Sequence, residues 1–296
     1  RVELSLEIAN LNFQLGEYEE NIELLTELND LVARAEDKDS QARILYLLAK
    51  NYFFSGNQGK AMECYYQVIP IAEELDLPEL LAIPYCAIGR AQVFMGNFKE
   101  AIDYLQRGLE LLPEDEVLEQ VYSLGVLAQS YSSLGMAGKA HVALQMLMQR
   151  YGDTENEMFQ LYIKFYSASV ESLAGDPEKA VREGEECLKL ARDHKNIALE
   201  IFSHYVAGLG YSAQGKVEHA VREINKALRT AEDNHVSIGL FSIYFNLAEI
   251  YASAGDGEKA RETLEKGKPH AAMFNPNMAQ QWENRTLALI HANGST

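Results

Sequence analysis

Apolar residues in this chain recur at helical spacing. Leu45, Leu48, Ala49 and Tyr52 fall at i, i+3, i+4 and i+7, which lines one face of an α-helix. Leu124, Leu127, Ala128 and Tyr131 repeat the pattern, as do Tyr244, Leu247, Ala248 and Tyr251. A second amphipathic stretch follows each run, as in Ala101, Leu105, Leu109 and Leu112. Between the two sits a glycine: Gly16, Gly56, Gly96, Gly135, Gly175, Gly215 and Gly255, in steps of 40, 40, 39, 40, 40 and 40 residues. Five residues after six of them comes alanine (Ala61, Ala101, Ala140, Ala180, Ala220, Ala260), and only the first repeat departs, with Asn21. So regular a period is an internal repeat. Each unit reads as helix, tight turn, helix, and with only 7 prolines to interrupt them the predicted class is all-α.

One connecting segment, Ser55 to Ala61 (SGNQGKA), has the outline of a phosphate-gripping loop. Such a loop needs a preceding strand and a Ser or Thr after its lysine to hold Mg²⁺. Here a helical pattern precedes it, and Lys60 and Lys139 are followed by Ala61 and Ala140. Glycine closes the first helix because it tolerates a left-handed backbone, and the alanine is small because two helices cross there. GNQGKA is predicted to be a turn.

At this point the sequence resembles the tetratricopeptide repeat family. The resemblance rests on a small residue in the first helix (Ala49, Gly89, Ala128, Ala168, Gly208, Ala248), a tyrosine three later (Tyr52, Tyr131, Tyr211, Tyr251), the turn glycine and the alanine after it. Pro113 stands where that family ends a repeat. The unit is longer than the usual 34 residues, so the helices should be extended by about a turn. Arrays of this longer kind are similar to kinesin light chains, G-protein-regulator scaffolds and the sensors of bacterial signal-transduction ATPases. Asp76 to Leu111 looks most like the last group. The resemblance implies a right-handed α-α superhelix of seven repeats over residues 1–274, with 275–296 as a capping helix or the start of an eighth repeat. Asn275 would cap that last helix and Gly294 would stop it.

It also implies a concave wall made by positions 2, 5, 9, 12 and 13 of each first helix. In repeat two these are Arg43, Tyr46, Lys50, Phe53 and Phe54; in repeat three Ile83, Cys86, Arg90, Val93 and Phe94. Later repeats add Tyr122, Tyr162, Phe165, Phe202, Tyr205 and Phe245. Aromatics and Arg dominate binding hot spots, so this row is the expected partner-binding groove. Lys50 and Arg90, sharing position 9 in adjacent repeats, are expected to converge on an anionic group. The asparagine ladder of peptide-clamping arrays is absent except for Asn246, and so is the basic clamp for chaperone C-termini. Repeat five fits worst, because Lys164, Ser167 and Glu171 occupy packing positions. An irregular joint between repeats four and five is expected, with Lys164 and Glu171 solvated or paired with each other.

Lys and Arg total 26 against 44 Asp and Glu, a formal charge of −18. That surface disfavours nucleic acid and anionic membranes. Cys64, Cys86 and Cys187 are odd in number and scattered, which fits a reducing, cytoplasmic setting and neither a disulfide framework nor a zinc site. No apolar run approaches a membrane span. The two glycosylation sequons at Asn284 and Asn293 read as chance matches. No HExxH, GxSxG or paired-histidine spacing occurs, and His204 sits on a packing face as a core histidine. No catalytic residue, metal or cofactor is expected, and the chain is not read as an enzyme. The start at Arg1 without Met suggests a piece of a larger intracellular regulator. The expected function is a protein-interaction or signal-sensing module. Its alternatives are a small-molecule or peptide sensor, or a structural spacer or oligomerisation arm; the last helix is the expected surface for a homodimer.

Overall fold

The computed structural model describes residues 2–236, 239–272 and 276–293. The described residues form fifteen α-helices and no strand. In chain order they are α1 (Val2–Leu15), α2 (Tyr18–Arg34), α3 (Lys38–Phe54), α4 (Gln58–Glu74), α5 (Ala82–Phe94), α6 (Phe98–Leu111), α7 (Val117–Ser133), α8 (Ala137–Tyr151), α9 (Glu157–Ala174), α10 (Pro177–Asp193), α11 (Ile197–Ala213), α12 (Val217–Asp233), α13 (Leu240–Ser253), α14 (Gly257–Ala272) and α15 (Pro276–Asn293). Odd-numbered helices up to α13 are the first (A) helices of successive hairpins, and even-numbered ones are the second (B) helices. A short 3-10 turn, Pro78–Leu80, precedes α5. The expected cap Asn275 and stop Gly294 lie outside the described residues, as does the side chain of Phe94.

The turns follow one design. At the end of α3, Gly56 takes φ +83°; its N–H donates to Phe53 O and the N–H of Asn57 donates to Tyr52 O. This pair of bonds satisfies the orphan carbonyls of the helix end. The Asn57 side chain then accepts from Lys60 N and starts α4. Gly16, Gly96, Gly135, Gly215 and Gly255 share the left-handed backbone. Lys60 grips no phosphate: its Nζ lies 5.2 Å from the centroid of the Tyr52 ring. Lys139 over Tyr131 and Lys259 over Tyr251 repeat that cation–π contact at 5.5 and 5.6 Å.

The small residues close the hairpins. Ala61, Ala101, Ala140, Ala180, Ala220 and Ala260 are at most 1% exposed. A Cβ on Gly89 would meet Leu105 and the carbonyl of Ala101, and one on Gly208 would meet Ile224 and the carbonyl of Ala220. A helices inside the array bury most of their circumference, as α3 does with Ala42, Ile44, Leu45, Leu47, Leu48 and Ala49, whereas α1 at the end buries Ala9. B helices bury one stripe, as α12 does with Ala220, Ile224, Ala227, Leu228 and Ala231.

Repeat five departs from the design, and the reason is Glu171. This residue replaces the repeat tyrosine, is 5% exposed, and accepts from Lys179 Nζ at 2.7 Å and from the backbone N–H of Asp176 at 2.9 Å. An ion pair thus replaces the tyrosine–lysine contact seen in repeats two, four and seven. A carboxylate also takes over one turn hydrogen bond, so Gly175 keeps φ at −136°. Glycine is still needed there, because a Cβ would overlap the Glu171 carboxylate. The expected pairing of Lys164 with Glu171 is not formed; Lys164 bonds Glu186 on α10 instead. The expected irregular joint between repeats four and five is corrected too. Tyr166 packs so closely on Gly125 that a Cβ there would overlap its ring. Gln129 and Ser132 donate to the Ser169 hydroxyl and the Val170 carbonyl. Gln129, Ser132 and Ser169 thus find partners across the contact, while the buried Ser167 hydroxyl is left without one.

By its contacts the chain divides into two compact units, Arg1–Ala91 with Glu100–Ser123 and Gln92–Lys99 with Leu124–Thr296. The core of the first runs from Ala9 through Leu25, Ile44 and Val68 to Ile88. In the second, Leu161, Cys187, Ala191 and Leu199 form one cluster, and Ile201, Ile224, Ile243 and Leu247 belong to another. No helix is long and apolar enough to cross a membrane among the described residues.

Candidate partner-binding surface

In the first unit the expected cation pair does not exist as such. Arg90 is closed on both carboxylate oxygens of Glu119 and also donates to the Ser123 hydroxyl. Glu119 lies on α7, a residue the row of groove positions did not include, so the correction is electrostatic: the rare cation had a carboxylate within reach. Arg43 is bound to Asp39 and Glu79. Lys50 has no carboxylate partner among the described residues; its Nζ sits 4.8 Å from the Phe13 centroid and 5.7 Å from that of Tyr46. Tyr46 is half-buried, and burial beside Glu116 and Glu119 pushes its hydroxyl pKa up. Phe53 and Phe54 are exposed and pack edge to face, with centroids 5.5 Å apart. Tyr122 is half-buried on α7.

In the second unit the structure brings several of the expected residues together. Phe165 on α9 and Phe202 on α11 have centroids 6.0 Å apart. Tyr162 and Phe165 are half-buried against Leu161, Cys187 and Leu199. Phe202 packs on Gly239, where a Cβ would come within 2.9 Å of the ring, so the left-handed glycine before α13 makes room for it. One turn on, the Tyr205 hydroxyl accepts from Asn246 Nδ2 at 2.9 Å. That asparagine is fixed by a second bond, 2.8 Å to its own Ser242 carbonyl. Phe245 does not belong to an open surface. It is fully buried, with the Trp282 ring of α15 at 5.5 Å, because the last helix covers that side of α13.

Sequence reading passed over Glu249. It stands six residues before its turn glycine, as Lys50 and Arg90 stand before theirs, so the signal was present in the same register. It is buried, and burial raises its carboxyl pKa despite the nearby Arg285. Tyr205 feels that charge as well: burial first and Glu249 second push its hydroxyl up.

Family models for the tetratricopeptide repeat match residues 2–74, 82–115 and 241–267. This chain carries tetratricopeptide repeats. No curated protein matches it in sequence. Among solved structures, a Rap protein complexed with competence and sporulation factor is 17% identical with a TM-score of 0.70, over 99% of this chain and 85% of the other. NprR in complex with its cognate peptide NprX is 16% identical with a TM-score of 0.62, over 99% and 82%. A signal-transduction ATPase of Pyrococcus horikoshii with a tetratricopeptide sensor is 17% identical with a TM-score of 0.56, over 93% of this chain and 43% of that one. At these identities the likeness establishes a shared repeat fold.

Among the described residues no group of His, Cys, Asp and Glu could hold a metal ion. The three cysteines are buried and free, their thiols pushed up to about 11 chiefly by burial. His204 is 2% exposed. Its Nε2 faces Arg192 at 3.3 Å and its Nδ1 faces Glu223 at 2.8 Å. Arginine only donates, so Nε2 accepts and Nδ1–H donates to Glu223: the ring is neutral. Burial, aided by Arg192, lowers its pKa below the ordinary 6.5. Below that value the unfolded chain takes a proton that the folded ring refuses. Stability should therefore fall as pH drops from about 6.5 towards the lower folded pKa. Urea titrations between pH 7.5 and 5 should show the fall, and His204→Asn should flatten it. An unchanged slope in the variant would refute the assignment.

Proposed function

We propose that this chain is a non-catalytic binding module whose tetratricopeptide repeats hold a peptide or protein segment on the A-helix face of α9, α11 and α13. The observation that carries this reading is the half-buried row of Phe165, Phe202 and Tyr205, with Tyr205 oriented by Asn246. Rigid aromatics with one placed polar group give contact area at small entropic cost. The Tyr205 hydroxyl accepts from Asn246 and keeps its own proton to donate to a main-chain carbonyl. Rap and NprR, which share the fold, were solved with competence and sporulation factor and with a cognate peptide. Any catalytic output would then lie in other domains of a larger regulator, as in the ATPase whose repeats form a sensor.

The test is a displayed library of random heptapeptides selected against the whole chain. The wild type should enrich a defined motif, and Phe202→Ala should weaken a selected peptide at least tenfold. Arg229→Ala on α12 should leave binding intact. Enrichment that survives Phe202→Ala would overturn this reading. A small-ligand reading has one specific observation behind it: a cleft of about 370 Å³ between α12, α13 and α14, bordered by Arg229, Glu232, Tyr244, Tyr251, Lys259 and Lys266. Its size suits a metabolite, and a metabolite whose binding is lost in Arg229→Ala but kept in Phe202→Ala would favour it.

A further inference from the structure

We propose that Glu249 is the specificity anchor of this surface and takes a lysine or arginine side chain of the bound segment, in the place now held by Arg285. The inference rests on the peptide-binding reading and adds the chemistry of one ligand residue.

Glu249 is a carboxylate at 9% exposure on α13, in the wall that Tyr205 and Asn246 share. Its one ion-pair partner among the described residues is Arg285 of α15, with Nε 2.7 Å from Oε1. That approach lies outside hydrogen-bond alignment, and Oε1 is left without a hydrogen bond. A carboxylate that has lost its water and not regained full hydrogen bonding is unfavourable as it stands. Arg285 offsets this weakly. Its own side chain is 67% exposed and rests beside the Trp282 ring at 5.8 Å, and exposed partners contribute little.

A ligand guanidinium or ammonium that takes the place of Arg285 beside α15 could align with both carboxylate oxygens, and charge-assisted bonds of that kind are the stronger ones. The surrounding groups fit a cation with an apolar neighbour. The aromatic beside it is Tyr205, bonded to Asn246 one turn before Glu249 on α13, with Phe202 and Phe165 farther along the same row. The chain's charge of −18 draws such a ligand from a distance. Arg285 in this view is an internal stand-in for the ligand cation, and binding displaces it to solvent.

The test uses the heptapeptides selected on the whole chain. Wild-type selection should enrich Lys or Arg beside an aromatic or aliphatic residue. Glu249→Gln should bind a selected cationic peptide at least tenfold more weakly, with its circular dichroism unchanged. Arg285→Gln, which removes the internal competitor, should bind it three- to tenfold more tightly. Selected peptides without Lys or Arg, or wild-type affinity in Glu249→Gln, would overturn the anchor while the groove reading stands. Unchanged affinity in Arg285→Gln would overturn the displacement. Enrichment indifferent to Phe202→Ala would sink the groove reading itself.

Discussion

Phe245→Ala should lower stability by about 3–5 kcal/mol, the usual cost of emptying a fully buried aromatic site. Phe245 lies at 0% exposure within a cluster of Phe241, Ala248 and Leu264, with Trp282 packed against it. No neighbour can readily collapse into the gap, because Ala248 is small and Trp282 is held by its own helix. In a repeat array each unit leans only on its neighbours, so the loss should appear first as detachment of α15 from α13. The chain contains one tryptophan, Trp282, and its emission reports that contact directly. Urea unfolding followed by tryptophan emission should show a red-shifted native baseline and an early transition in the variant. A native-like emission maximum with a loss under about 1 kcal/mol would contradict this packing.

The second large effect concerns Asn21, the residue that breaks the alanine pattern. It is fully buried, and its Nδ2 donates to the carbonyl of Ala9 at 2.8 Å and to Asn51 Oδ1 at 3.1 Å. Asn51, also fully buried, donates in turn to the carbonyl of Leu47. One amide relay thus ties α1, α2 and α3. Removing either asparagine strands the other in a dry site, which costs about 1–3 kcal/mol, whereas removing both can be nearly neutral. Repeats four and five show the apolar solution at the equivalent positions, with Ala140 and Val170 both buried. Asn21→Ala and Asn51→Val should each destabilise, and the double variant should cost at least about 1 kcal/mol less than their sum. Strict additivity in urea titrations of the cycle would refute the coupling.

Much of the fold could be read from residues, because the 40-residue glycine period is itself the physical signature of the hairpins. Gly56 and its equivalents carry a backbone that other residues resist. The period did not reveal the turns that end the B helices. There Glu36, Asp76, Lys195 and His235 adopt the same left-handed backbone, with φ near 55°, and four different side chains leave no pattern to see. Gly175 shared the spacing but not the conformation, since a buried side chain four residues away replaced the backbone bond. The candidate site was half legible. Register alone placed Phe165, Phe202 and Tyr205 together. Register could not show that Glu119 neutralises Arg90, that α15 buries Phe245, or that Glu249 is left short of hydrogen bonds. Those depend on which side chains reach across between helices.

The central claim, that the A-helix face of the second unit is where a partner binds, is most directly tested by hydrogen exchange with a saturating selected peptide. Protection should rise in α9, α11 and α13 around Phe165, Phe202, Tyr205 and Asn246, with α12 and α14 unchanged. Protection confined to the α12 and α14 residues that border the cleft at Arg229 and Lys259, with the A helices exchanging as before, would contradict it.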